Sequence, residues 1–258
     1  DILEKNTENN LKIIDINVEF KNPFKIPYKS SSNFILNSLN FAHKLALKNE
    51  IAGFINCAIS KELLGKSKIG VTEYLASKCK IKNNSEVMLI KSDKLAVCPI
   101  TTHIDIREIS KKIKKEFIIT KVKTIENWYK KKLKKKPKIA ILGLNPHNAE
   151  MRRDSEEKKT IVPAINKLRQ LGLNIKGPLI SDTIFIHDYK KFDVIIGMFH
   201  DQVLTPFKAL FKFDAINITL GLKYLRVSPD HGVAVDLIGK KRANSTSLLK
   251  CIKFINKF

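Results

Sequence analysis

The sequence predicts an α/β fold built around a largely parallel sheet. Three observations carry that prediction. Apolar β-compatible runs alternate with helix-patterned runs along most of the chain. Hydrophobic residues make up 43% of 258 residues, enough for a sizeable core, yet no apolar run reaches the ~20 residues of a membrane helix. Three of the apolar runs also end in a histidine, which is where ligands gather in open α/β sheets.

In chain order, residues 51–59 are apolar and β-compatible, and 72–79 suggest a helix. Residues 87–90 and 95–100 read as strands, and 106–117 as an amphipathic stretch. Residues 138–144 form the next strand. Ile161, Ile165 and Leu168 share one face of a helix over 161–171, which Gly172 ends. Residues 192–199 are a further strand. The lysine run before Pro137 reads as an exposed helix end, and the first ten residues as frayed.

Composition excludes several classes. The formal net charge of +23 invites a nucleic-acid reading. The charge is overwhelmingly Lys, however, spread along the chain without interleaved aromatics, where Arg would serve base readout and stacking. A solvated lysine-rich surface is the reading adopted, with neither nucleic acid nor membrane as a partner. Cys57, Cys79, Cys98 and Cys251 form no CxxC pair, which argues for a reducing cytoplasm and against a disulfide framework. The chain begins at Asp1 without a signal-peptide pattern, so a fragment or a missing true start is expected.

The candidate chemistry sits at the strand ends. The run 95–100 leads to His103, 139–144 to His147, and 194–199 to His200. Three imidazoles on one rim can form a metal site with open coordination positions. Each is also an ordinary loop residue, and pattern alone does not choose. Asp201 follows His200, and Asp182 lies in a turn-like segment. A carboxylate beside a cation can ligate it, orient its ligands or relay a proton, whereas the bland alternatives are a cap and a solvated loop. Lys208 is one lysine among many. Arg226 stands out because the chain rarely uses Arg, and a guanidinium suits phosphate or carboxylate.

The segments GLNPHNAE (143–150), GPLISDT (177–183), FHDQ (199–202), INITLGLKYLRVSPDHG (216–232) and TTHIDIREI (101–109) resemble the 4-hydroxythreonine-4-phosphate dehydrogenase family, collinearly from about Ile51 onward. The resemblance implies two α/β/α domains flanking a cleft, as in isocitrate and isopropylmalate dehydrogenases. The units implied are 1–65 plus 218–258, and 66–217. It implies NAD- or NADP-linked oxidation of 4-phosphooxy-L-threonine and decarboxylation to 3-amino-2-oxopropyl phosphate. A divalent metal of the zinc, magnesium, cobalt or manganese class is implied, in a site shared across a homodimer. His103, His147 and His200 would be the metal ligands. Thr72, Lys208, Asn217 and Arg226 would bind substrate, with Asp182, Asp201 and Lys208 catalytic. His231, Gly232, Asp236 and Asn244 would hold the dinucleotide, without a GxGxxG fingerprint.

The chain departs from the family pattern at Val71, where the family has a substrate-binding histidine, and at 57–61, 151–154 and Val203. A sister dehydrogenase acting on threonate or erythronate phosphate is therefore a second expectation. A catalytically weakened metal- or nucleic-acid-binding paralogue is a third.

Overall fold

A computed structural model describes residues 13–64, 70–81 and 85–258. The frayed start and the boundary at 65/66 expected from the sequence lie outside these residues. Eight strands form one sheet: β1 Gly53–Ile55, β2 Val87–Lys91, β3 Ala96–Pro99, β4 Ile139–Leu142, β5 Ile175–Leu179, β6 Val194–Gly197, β7 Ile216–Leu220 and β8 Leu225–Pro229. Their order across the sheet is β1-β8-β7-β2-β3-β6-β4-β5.

The sheet is mixed, which corrects the largely parallel expectation. The pairs β1/β8, β3/β6, β4/β6 and β4/β5 are parallel, while β2/β3, β2/β7 and β7/β8 are antiparallel. For β2/β3 and β7/β8 the reason is connection length, because a parallel neighbour needs a crossover of a dozen residues or so. Only Ser92–Leu95 separate β2 from β3, and the Ser92 hydroxyl accepts the Lys94 and Leu95 N–H groups to close that turn. The β7–β8 turn starts at Gly221, whose φ of +91° lies in the region glycine adopts without a Cβ penalty.

Strand periodicity puts two cores on two faces. Val87, Leu89, Cys98, Ile139, Ile141, Val194 and Ile196 face one side, and Met88, Ile90, Val97, Ala140, Leu142 and Ile195 the other. The helices are α1 Tyr28–Leu47, α2 Val71–Lys78, α3 Ile106–Lys112, α4 Lys115–Leu133, α5 Val162–Gln170, α6 Ser181–Ile184, α7 His200–Phe211 and α8 Thr246–Ile255. Residues of α3, α4, α5 and α8 pack on the first face, and those of α6 and α7 on the second. A third cluster joins α1, β1 and α2 through Leu39, Ala46, Phe54 and Leu75. The amphipathic stretch 106–117 divides at Ile113, between α3 and α4. The lysine run closes α4, with Lys134 left-handed beyond its end. Among the described residues, no helix is long and apolar enough to cross a membrane.

Candidate active site

A cleft of about 410 Å³ lies over one side of β2, β7 and β8. Register explains which residues reach it. Ile90 pairs with Asn217, Asn217 with Ser228, and Thr219 with Arg226, so these side chains share one face of the pleat. Met88, Asn217, Arg226 and Ser228 line the cleft, and Leu204 and Lys208 of α7 close its other wall. Thr72 enters from the first turn of α2, where its hydroxyl lies 3.3 Å from that of Thr219.

Arg226 is 3% exposed. Its Nε donates to Asn56 Oδ1 at 2.7 Å and its Nη1 to Thr219 Oγ1 at 2.9 Å. Among the described residues no carboxylate lies within 4.0 Å of it. Burial lowers its pKa to about 10, partly opposed by Cys251, Glu73 and Tyr224. Asn217 Oδ1 is buried without a hydrogen-bond partner. Lys208 Nζ donates to the Asp230 carbonyl at 3.3 Å and lies 3.4 Å from Asp230 Oδ2, which has an ion-pair distance but no hydrogen-bond geometry. Desolvation holds the Asp230 carboxyl above the usual carboxylate range, against the lowering effect of Lys208.

His103 and His200 meet in this cleft with ring centroids 5.5 Å apart. His103 follows β3, and His200 opens α7 directly after β6. His103 is exposed, yet the protein on one side of its ring lowers its pKa by desolvation. Lys61 and His200 lower it further against the raising effect of Glu73. A neutral imidazole keeps the lone pair that a metal needs. Asp201 Oδ1 sits 2.6 Å from His200 Nδ1, which fixes the ring. The two imidazoles therefore fit two ligand positions of a divalent ion.

His147 is not with them. It is exposed in the loop after β4 and does not line the cleft. Among the described residues of one chain, no group of three His, Cys, Asp or Glu residues could hold a metal ion. Asp182 is exposed in α6, also away from the cleft. Of the four expected dinucleotide residues, His231 and Gly232 line the cleft. Asp236 and Asn244 are exposed outside it, and Asn244 Oδ1 accepts the Thr246 N–H at the start of α8.

Two residues given no role by sequence reasoning hold the strand ends together. Gln202 Oε1 accepts the Met198 N–H at 2.6 Å, and its amide donates to the Gly143 carbonyl and to Ser181 Oγ, each at 2.7 Å. One side chain thus ties β6, β4 and α6. Glu157 is fully buried, and its Oε1 accepts the Leu144 and Asn145 N–H groups at 2.7 Å. Burial raises the Glu157 pKa, but these donors and the Asn145 amide outweigh it and hold the carboxyl below its ordinary value. Gln202 had a signal in the FHDQ motif, whereas Glu157 had none.

This architecture defines an α/β protein with a cleft lined by two imidazoles and a buried guanidinium. The chain belongs to the family of the pyridoxal phosphate biosynthetic protein PdxA, whose model matches residues 2–255. It is 39% identical over 248 residues to 4-hydroxythreonine-4-phosphate dehydrogenase of Sulfurihydrogenibium sp. (strain YO3AOP1), covering 94% of this chain and 75% of that one. It is 33% identical over 217 residues to D-threonate 4-phosphate dehydrogenase of Salmonella typhimurium (82% and 66% covered). The crystal structure of 4-hydroxythreonine-4-phosphate dehydrogenase from Klebsiella pneumoniae matches with a TM-score of 0.78 at 29% identity, covering 90% of this chain and 72% of that one. The expected family and its isocitrate dehydrogenase-like fold are both borne out.

Proposed function

We propose that the protein oxidises the C3 hydroxyl of 4-phosphooxy-L-threonine with NAD or NADP and releases carbon dioxide, leaving 3-amino-2-oxopropyl phosphate. The observation that carries this reading is Arg226, a guanidinium buried in the cleft without a carboxylate partner among the described residues. A buried charge of this kind is costly unless a ligand supplies the opposite charge. The names of relatives sharing the collinear motifs point the same way.

Arg226 grips an anionic end of the substrate through its remaining N–H donors, and the Thr72 hydroxyl adds a hydrogen bond. Asn217 Oδ1, buried and unpartnered, accepts a hydrogen bond from the substrate's amino or hydroxyl group. Lys208 steadies negative charge as the hydroxyl proton leaves, and Asp230 holds Lys208 in place. Asp201 orients His200, and His103 and His200 hold two positions of a divalent ion. When bound, that ion supplies positive charge at the reacting oxygen and the nicotinamide takes the hydride. His231 and Gly232 face the dinucleotide, with Asp236 and Asn244 further along the same loop.

We propose in addition a homodimer in which the partner's His147 and Asp182 complete each site. His147 stands apart from the other two histidines, and Ile104, Met151 and Ile106 at the start of α3 are exposed. The units 1–65 plus 218–258 and 66–217 are proposed as the halves that flank the cleft. The third apolar cluster joins α1 and β1 of the first unit to α2 of the second.

A second reading has one observation in its favour. Val71 puts an apolar side chain in the cleft, and a D-threonate 4-phosphate dehydrogenase is among the relatives. Nicotinamide reduction decides between the readings, measured on 4-phosphooxy-L-threonine and on D-threonate 4-phosphate with and without a chelator. Faster turnover of the amino acid, lost on chelation, supports the first reading. Preference for the hydroxy acid replaces it with the second.

A further inference from the structure

Lys121 is the one lysine in the buried set among the described residues, in a chain otherwise covered with exposed lysines. It is 5% exposed and lies on the apolar stripe of α4, one turn from Ile118 and Ile125. Any of the solvent-facing positions of α4 would accommodate a lysine at little cost, so its place on the buried face needs a cause. Packing does not supply one, because a Leu or Met there would continue the stripe. Ion pairing does not supply one either. Among the described residues no carboxylate lies within 4.0 Å of its Nζ, and the nearby buried Glu126 is bridged to Lys130 instead. The one favourable contact recorded is with the Phe117 ring, 4.8 Å from Nζ to the centroid.

The side chain lines the same cleft as Arg226. Glu73 and Glu86 also line the cleft, and neither comes within ion-pair distance of either cation. The cleft therefore holds two buried cations, from α4 and from β8, each without a protein counter-ion among the described residues. Two such groups in one cavity match a ligand carrying two separate oxyanions.

We propose that Lys121 is a second anion anchor, binding one anionic end of the substrate while Arg226 binds the other. This rests on the substrate reading given above, since 4-phosphooxy-L-threonine carries a phosphate at one end and a carboxylate at the other. The ligand chemistry at Lys121 is an oxyanion of either kind, held by a charge-assisted hydrogen bond.

The test uses the full chain and its Lys121→Met, Lys121→Gln and Lys121→Arg variants. Binding of 4-phosphooxy-L-threonine, inorganic phosphate, 4-hydroxy-L-threonine and NAD is measured by calorimetry and thermal shift. Lys121→Met and Lys121→Gln should bind 4-phosphooxy-L-threonine about 10- to 150-fold more weakly, the range for one charge-assisted hydrogen bond. Their NAD affinity should be unchanged, and Lys121→Arg should recover part of the loss. Without ligand, Lys121→Met should melt no lower than the parent, because an unpaired buried charge has been removed. Loss of phosphate protection alone assigns Lys121 to the phosphate, and loss of 4-hydroxy-L-threonine binding alone assigns it to the carboxylate. Unchanged affinity for all of these ligands in folded Lys121→Met or Lys121→Gln overturns the proposal while leaving the substrate reading intact. So does a loss confined to NAD. If the parent binds no hydroxythreonine compound but phosphate protects it and not Lys121→Met, the substrate reading falls and the anchor stands. If no ligand protects the parent, both fall.

Discussion

Arg226 spends two of its five N–H donors on Asn56 and Thr219, and both acceptors are neutral. Such partners orient a guanidinium without neutralising it. Arg226→Lys keeps the charge but loses the planar fork, so kcat/KM should fall by about 10- to 150-fold, read from initial rates of nicotinamide reduction. An unchanged value would remove Arg226 from the substrate contacts. Asp230 gives a second residue-level expectation. Its carboxyl is held above the usual range by desolvation, so the folded chain binds that proton more tightly than the unfolded chain does. Stability from this group is therefore lost as pH rises from the ordinary carboxylate range through the folded pKa. Asp230→Asn should melt higher than the parent near pH 7 and show less advantage near pH 4, in paired thermal melts. It should also turn over more slowly, because Lys208 loses its carboxylate neighbour.

At the scale of elements, the loop after β4 is the most strained segment described. His147, Asn148, Ala149, Glu150 and Met151 all have φ between 46° and 57°, a left-handed turn made without glycine. Each such residue costs roughly 1–2 kcal/mol, of which glycine's extra unfolded-state entropy would return about 0.5–1. Glu150→Gly should therefore raise stability by up to about 1 kcal/mol, checked by denaturant unfolding; a fall in midpoint would contradict the strain. The turn is held by Asn148, whose amide donates to the Pro178 carbonyl at 3.2 Å, and by the buried Glu157 beneath it. The Glu157 carboxyl lies below its ordinary value, so the stability it supplies is present above the unfolded pKa and is lost as pH falls through the folded one. Acid below about pH 4 should loosen this loop ahead of the sheet, seen as early loss of amide protection at Leu144 and Asn145.

For the whole molecule, the charge of +23 opposes self-association. If two copies share their sites, raising the salt should tighten the dimer, because like charges repel over a Debye length of about 10 Å at 0.1 M. Light scattering at low and high ionic strength tests this, and a monomer under both would leave His147 without a site to complete. The sequence by itself determined much. The strand-end histidines, the α2 and α5 helices, the helix end within the lysine run before Pro137 and the family motifs were legible because each is local, set by periodicity, caps or spacing. It also placed Thr72, Lys208, Asn217 and Arg226 together, through resemblance, and the structure lines one cleft with all four. Only the tertiary structure decided the rest. The four-residue connections at 92–95 and 221–224 turned the sheet mixed, and strand register put Thr219 opposite Arg226. Fold geometry separated His147 from His103 and His200, and buried Lys121 and Glu157 where no motif marked a role. Burial and through-space pairing depend on contacts between separate elements, as between Arg226 and Asn56, 170 positions apart, and a linear pattern carries no record of which residues will meet.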